Sequence, residues 1–202
     1  MIAIIDYDAG NIKSVEKAFD FLGKNVLITR NPQDILRADH VVLPGVGSFG
    51  DAMNKLNEYK LADVIKKVCD ENIPFLGICL GLQLLFDCSD ESKNVAGLGI
   101  LKGQIKRIPD GGGRLKIPQI GWNDLKFPHK GRLFDGIDEG IYVYFVHSYY
   151  LEAEDESIVT ATTDYGTRIH ASVEKDNIFA CQFHPEKSSD IGMTILENFT
   201  KI

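Results

Sequence analysis

Pro74-Phe75-Leu76-Gly77-Ile78-Cys79-Leu80-Gly81-Leu82-Gln83 is an apolar run cut by Gly-x-Cys-x-Gly, and an amphipathic stretch from Gly81 to Asp87 follows at once. The order strand, cysteine, helix predicts a nucleophile elbow, a sharp turn that raises a reactive side chain above the edge of an α/β sheet. Here cysteine stands where serine is commoner. Glycines on both sides of the cysteine let strand and helix approach without Cβ clashes. A thiol at that place sits at a helix N-terminus, where free N–H groups and the macrodipole favour the thiolate. The competing reading is a buried core cysteine closing a strand, a common fate for this residue. The segment alone does not choose between the two.

A second segment does. Ile178-Phe179-Ala180-Cys181-Gln182-Phe183 reads as a buried strand, and it delivers His184-Pro185-Glu186. A cysteine nucleophile needs a base, and the base needs an acceptor to orient it. Residues two apart on an extended chain share a face, so the Glu186 carboxylate is expected to reach the His184 ring. Pro185 has a fixed φ and stiffens the link. By itself His184 could be a polar loop residue beside a helix cap. Joined with the elbow, Cys79, His184 and Glu186 make a candidate triad.

Working outward, the first half alternates strand and helix. Ile2–Ile5 is expected as a strand, and Ile12, Val15, Phe19 and Leu22 mark one face of a helix stopped by Gly23. Val26–Thr29 is a second strand, and Asn31-Pro32 looks like an N-cap and N1 pair opening a short helix. His40–Leu43 is a third strand running into Pro44-Gly45-Val46-Gly47. A helix marked by Leu61, Val64, Ile65 and Val68 precedes the elbow strand Ile73–Ile78. This rhythm predicts a mostly parallel central sheet with helices on both faces.

The second half is β-rich. Strands are expected at Gln104–Ile108, Trp122–Phe127, Tyr142–Leu151, Ser157–Asp164, Arg168–Glu174 and Ile178–Phe183, and a last helix from about Ser188 to Lys201. No repeat or linker interrupts them, so residues 1–202 are expected to form a single α/β domain, a size one core can serve.

A net charge of −7 argues against a general nucleic-acid or membrane-surface binder. The basic cluster Lys102, Lys106, Arg107, Arg114 and Lys116 is read as a solvated strand face. No apolar run approaches the roughly 18 residues of a membrane span. Met1-Ile2-Ala3-Ile4-Ile5-Asp6 lacks the basic start and the length of a signal peptide. The cysteines at 69, 79, 88 and 181 form no C-x-x-C pair, which predicts neither a metal site nor a dithiol redox motif. Cys181 is expected in the core, and Cys69 and Cys88 in helical or helix-end patterns. A nucleophilic thiol must stay reduced, which fits the cytoplasm.

Gly77-Ile78-Cys79-Leu80-Gly81-Leu82-Gln83 with His184-Pro185-Glu186 resembles the triad-type, class I glutamine amidotransferases. Three further blocks are similar to the glutaminase subunits of imidazole glycerol phosphate synthase. They are Asp6-Tyr7 with Gly10-Asn11, Gly121-Trp122-Asn123, and Tyr144-Phe145-Val146-His147-Ser148-Tyr149. The resemblance runs along nearly the whole chain in the expected order. It implies that Cys79 attacks the amide carbon of L-glutamine, with His184 as acid and base and Glu186 fixing its tautomer. Backbone N–H groups of Leu80 and of the Gly45-Val46-Gly47 loop would hold the oxyanion. Gln83, Glu91, His147, Ser148 and Tyr149 would bind the substrate; as residues alone, Gln83 and Glu91 could equally be solvated helix-face positions and His147 a core histidine.

No cofactor is implied. Gly111-Gly112-Gly113 lacks the spacing and the following Lys-Ser/Thr of a phosphate-binding loop. Ammonia needs an acceptor, and the resemblance supplies one as a separate cyclase subunit, a (β/α)8 barrel bound as an obligate heterodimer partner. Asn11, Trp122 and Lys187 are the candidates for the docking face by the same carry-over; Trp122 is the only tryptophan, and a buried core position is the competing reading for it. Two positions depart from the family pattern: Asp8, where glycine is usual, and Gln119, where histidine often stands. They leave room for a glutaminase subunit of another pathway, against which Trp122 and the Val146–Tyr149 block speak. The same shell could also serve a stand-alone γ-glutamyl hydrolase or a non-catalytic binding module. An intact Cys79, His184 and Glu186 speaks against the binding module.

Overall fold

The computed structural model describes all of residues 1–202. In chain order the strands are β1 (Ile2–Ile5), β2 (Val26–Thr29), β3 (His40–Leu43), β4 (Phe75–Ile78), β5 (Cys88–Ser89), β6 (Gly103–Arg107), β7 (Gln119–Asp124), β8 (Tyr142–His147), β9 (Tyr149–Ala153), β10 (Val159–Asp164), β11 (Arg168–Lys175) and β12 (Ile178–Cys181). The α-helices are α1 (Ile12–Phe21), α2 (Pro32–Leu36), α3 (Phe49–Glu58), α4 (Leu61–Asp70), α5 (Leu80–Leu84) and α6 (Ser189–Phe199).

Side chains on the parallel strands point alternately to the two faces, and both faces are apolar. Ala3, Ile5, Val41, Leu43 and Phe75 pack with α3 and α4 through Phe49, Leu56, Leu61 and Ile65. Ile2, Ile4, Val42, Leu76 and Ile78 pack on the other side with Val15 and Phe19 of α1 and Ile195, Leu196 and Phe199 of α6. A strand buried on both faces must sit inside a helix-covered parallel sheet. The main sheet accordingly runs β2-β1-β3-β4-β12-β11-β9-β6-β5, with β10 pairing β11. Pairing from β2 through β12 is parallel, and β11, β9 and β6 continue it antiparallel. β7 and β8 form a separate antiparallel ribbon.

One pairing matters most for the site. β4 and β12 lie side by side, with Ile78 opposite Cys181. Cys79 and His184 follow those two residues, so both leave the sheet at the carboxyl end of adjacent parallel strands. Ligands in open α/β sheets gather at that end.

The expected single α/β domain with a mostly parallel sheet and helices on both faces is what forms. Local boundaries differ in instructive ways. Helix α5 ends at Leu84, not Asp87, because the loop beyond it caps its last carbonyls: Leu98 N–H donates to Leu84 O at 2.9 Å, and Ile100 and Leu101 donate to Leu85 O. The expected strand Tyr142–Leu151 is two strands, β8 in the ribbon and β9 in the main sheet, broken at Ser148. β7 starts at Gln119 because its register is set by β8, with Gln119 opposite His147. A 3-10 turn at Glu156–Ile158, capped by Asp155 accepting from Ser157 N, delays β10 to Val159. Cys88 lies in strand β5 and not at a helix end. Helix α3 is absent from the sequence-based expectation, although Ser48 caps it and Phe49, Ala52, Met53 and Leu56 carry the i, i+3, i+4, i+7 pattern.

Candidate active site

Cys79 has φ 55° and ψ −106°, a left-handed conformation that L-residues rarely hold and that costs on the order of 1–3 kcal/mol. The surroundings over-determine it. Its N–H donates to Cys181 O at 2.8 Å, continuing the β4–β12 ladder into the elbow. A Cβ on Gly81 would stand 1.9 Å from Leu43 O, and one on Gly77 2.7 Å from Gly81 O. Only glycine at both places lets α5 fold back over the strand end. The elbow grammar is therefore a steric requirement, met by the sequence.

His184 and Glu186 arrive differently from expectation. Pro185–Lys187 is a 3-10 turn and not extended chain, since Lys187 N–H bonds back to His184 O and Ser188 N–H to Pro185 O. The carboxylate still reaches the ring, with Glu186 Oε1 2.7 Å from His184 Nδ1. Ser188 locks the turn to the ribbon, its Oγ donating to His184 O at 2.6 Å and accepting from Tyr144 N at 2.9 Å. The His184 and Glu186 side chains are essentially inaccessible to solvent.

Burial alone would push the His184 imidazolium down. The neighbouring Cys79 side chain and the hydrogen-bonded Glu186 carboxylate, with their charges, outweigh burial and raise its pKa to about 9. Nε2 makes no hydrogen bond of normal geometry at rest, but the Cys79 side chain is near enough to act on the ring. Cys181, fully buried, is pushed up by desolvation and then by the Glu186 and Cys79 charges, and stays an inert thiol.

Asn11, expected at the docking face, is half-buried and points inward. Its Nδ2 donates to Glu186 Oε1 at 2.5 Å, the same oxygen that faces His184. Lys187 is exposed beside the turn, and no ion pair engages it. Trp122 is about half-exposed (49%), which sets aside a core role for it. With Ile120 (64%) and Tyr142 (58%) it forms an apolar outer face on the β7–β8 ribbon, and its ring meets Tyr144 edge-on at 6.2 Å.

The Gly45–Gly47 loop lies over the start of α5. The Leu80 N–H, expected to receive an oxyanion, is covered: it donates to Gly45 O at 3.3 Å. Beneath the loop, the Tyr7 hydroxyl donates to Pro44 O at 2.9 Å. Burial first and the Cys79 charge second keep that phenol protonated.

A cavity of about 190 Å³ opens at the sulfur. Val46, Gly47, Leu80, Gln83, Glu91, His147 and Tyr149 line it together with Cys79 and Val146. Ser148 does not line it, and its carbonyl instead accepts from Ile108 N at 3.0 Å. A cleft of about 540 Å³ between Lys130, Arg132 and Asn198 is larger but lies apart from this chemistry. Glu91 accepts from Phe49 N at 2.7 Å, tying the cavity wall to the start of α3.

His147 is buried, and desolvation lowers its pKa to about 4 against the opposing bond to Tyr149. The ring is therefore neutral. Nδ1 faces Tyr149 O at 2.8 Å and carries the proton. Nε2 is then an acceptor, so the Gln119 amide, placed with Oε1 3.0 Å away, must be turned about to present its NH2 there. A glutamine at position 119 thus serves the buried histidine directly.

Gln83 spends both protons of its NH2 inside the protein, on Tyr149 O at 3.1 Å and Gln182 Oε1 at 3.0 Å. The sequence presents Gln182 only as part of a core strand, yet its Nε2 lies 3.6 Å from the Cys79 sulfur. A fully polar amide in an apolar run was the available signal, because buried amides must find partners.

No group of His, Cys, Asp and Glu side chains could hold a metal ion, and no helix is long and apolar enough to cross a membrane.

An elbow cysteine backed by a His–Glu pair on this sheet defines a class, and comparison with known proteins agrees. The family model for class-I glutamine amidotransferase matches residues 3–202, and the chain belongs to that family. It is 50% identical over 201 residues to "Imidazole glycerol phosphate synthase subunit HisH" of Moorella thermoacetica, covering 100% of this chain and 94% of the relative. The subunit of the same name from Methanocaldococcus jannaschii is 46% identical over 202 residues, with 100% of both chains covered. Within the class, the chain falls with these HisH glutaminase subunits. Among solved structures, the "Structure of PurLQS from Thermotoga maritima" superposes with a TM-score of 0.77 at 21% identity, over 99% of this chain and 97% of that one. At that identity it supports the fold alone.

Proposed function

We propose that residues 1–202 work as one glutaminase domain that hydrolyses L-glutamine at Cys79 and hands ammonia to a separate (β/α)8 cyclase subunit in an obligate heterodimer. The observation that carries this reading is the strained elbow sulfur at a small cavity with the buried His184–Glu186 pair beside it. The thiolate adds to the side-chain amide carbon of glutamine. His184 gives the proton of Nε2 to the departing ammonia, leaving a γ-glutamyl thioester. The same nitrogen then takes a proton from water, whose oxygen adds to the thioester carbon, and the thiolate departs as glutamate is released. Glu186, itself held by Asn11, keeps the ring oriented through Nδ1.

Each addition creates an oxyanion that needs fixed donors about 3 Å away. The Leu80 N–H is engaged by Gly45 O at rest. Rotation of the Gly45–Val46 peptide would withdraw that carbonyl and turn the Val46 N–H toward the site, and Gly45, without a Cβ, eases the change in its own ψ. This supports a weakly active free chain that is switched on by its partner. The remaining acceptor of Gln83, with Glu91 and the His147–Tyr149 segment, would bind the substrate's α-groups.

The docking face would be the apolar ribbon around Trp122, with Lys187 at its margin. Val146 links this face to the cavity, its carbonyl 4.0 Å from the Cys79 sulfur. The relatives' names include imidazole glycerol phosphate synthase, so the product of the complex would be imidazole glycerol phosphate, in histidine biosynthesis and in the cytoplasm.

The test is glutamate release from glutamine by the chain alone and with a cyclase subunit plus its ribonucleotide substrate. Activity mainly in the mixture supports the proposal. Equal activity in both samples would overturn it in favour of an independent hydrolase.

A further inference from the structure

The orientation of the Gln182 amide follows from one fixed point. The Tyr149 carbonyl can only accept, so the atom of Gln83 lying 3.1 Å from it is the NH2 nitrogen. That same nitrogen lies 3.0 Å from the Gln182 side chain, whose facing atom must then be Oε1. The Gln182 NH2 is thereby turned to Cys79, with Nε2 3.6 Å from Sγ. Flipping either amide would set donor against donor or acceptor against acceptor. The strand holds the backbone as well, Gln182 N–H donating to Ala171 O at 2.8 Å. Gln182 is 0% exposed and Cys79 6%, so water does little to solvate a charge on this sulfur.

We propose that Gln182 is a further catalytic residue, whose side-chain NH2, held in place by Gln83, donates a hydrogen bond that stabilises the Cys79 thiolate. The proposal deepens, and rests on, the reading of Cys79 as the nucleophile. A thiolate is a far better acceptor than a thiol, so a fixed donor aimed at sulfur favours the anion. His184 and Gln182 both act on the Cys79 side chain. The contact is present at rest, before any rearrangement of the Gly45–Gly47 loop, so it acts on the nucleophile and not on the oxyanion.

The experiment is alkylation of the full chain by iodoacetamide over a pH series, with modification at Cys69, Cys79, Cys88 and Cys181 followed separately by mass spectrometry. Gln182→Met keeps the length and loses the donor. In that variant the pH midpoint of Cys79 alkylation should rise by about one unit, and the rate at neutral pH should fall about tenfold. Gln182→Glu, which puts an acceptor against the sulfur, should move it further in the same direction. With the cyclase present, kcat for glutamine should fall while KM changes little. A folded Gln182→Met chain whose Cys79 profile superimposes on the parent's would overturn the proposal. Should the variants not fold, protein labelled with 15N-glutamine tests the parent itself. The Gln182 NH2 resonances should titrate with the Cys79 alkylation midpoint and be flat in Cys79→Ala, and resonances that do not move in the parent would refute the contact. If parental Cys79 reacts no faster than half-exposed Cys88, the nucleophile assignment fails first, and Gln182 with it.

Discussion

Asn11 and Glu186 lie 175 residues apart in sequence and meet at 2.5 Å, the amide nitrogen on the carboxylate oxygen that also faces the His184 ring. Asn11 sits at the start of α1 in a left-handed conformation, φ 71°, where asparagine is tolerated better than most residues. The first loop of the chain thereby braces the last member of the proposed triad. Glu186 Oε2 is buried without a partner, so Oε1 carries the whole orientation.

Asn11→Ala should therefore act on chemistry as well as on docking. Glutamine-dependent turnover of the complex is expected to fall about tenfold, the equivalent of losing one hydrogen bond to a charged group. Synthesis from free ammonia should stay near parental. Parallel kinetics with the two nitrogen donors checks this, and an equal loss with both would return Asn11 to the docking face alone.

The two buried histidines give stability a maximum in pH. His184 has a folded pKa raised from 6.5 to about 9. Its contribution is fully present below 6.5 and is lost as pH rises through 9. His147 has a folded pKa lowered from 6.5 to about 4. Its contribution is present above 6.5 and is lost as pH falls through 4, because the unfolded chain then binds the proton that the folded one refuses. Urea unfolding should show greatest stability near pH 6.5 from these groups, falling by a few kcal/mol toward each limit. Cys79→Ala should flatten the alkaline limb and leave the acid limb unchanged.

The Tyr7 hydroxyl holds Pro44 O, next to the carbonyl that covers the Leu80 N–H. Tyr7→Phe should cost about 1 kcal/mol in denaturant unfolding. By loosening the loop it should also raise the glutaminase rate of the chain without its partner. A lower partner-free rate would mean that the tether supports the active loop geometry instead.

Trp122 is half-exposed, so Trp122→Ala should change unfolding free energy by no more than about 0.5 kcal/mol. As the central aromatic of the ribbon face it should weaken cyclase binding by roughly 2 kcal/mol, about thirtyfold in Kd. Titration calorimetry with the cyclase measures the difference directly.

Steric and periodic demands were legible in the sequence because single residues carry them. The Gly77-x-Cys79-x-Gly81 elbow, the Asn31-Pro32 cap and the first three strands, Ile2–Ile5, Val26–Thr29 and His40–Leu43, recur in the structure as read. Side-chain traffic across the sheet was not legible. Nothing local to Asn11 says that its amide will meet Glu186, and Gln182 looked like one more position in an apolar strand. The break at Ser148 was hidden for a similar reason: β8 and β9 are both strand-like and differ only in the sheets they join. The covered Leu80 N–H depends on the orientation of a single peptide, which composition and spacing do not encode.

The Cys79→Ala chain in complex with the cyclase, assayed for product with glutamine and then with ammonium salt as the nitrogen source, asks whether glutamine is opened at Cys79 and its nitrogen passed on. Loss of the glutamine-dependent reaction with the ammonia-dependent one intact is the expected result. Product formed from glutamine at the parental rate would show that Cys79 is not the nucleophile.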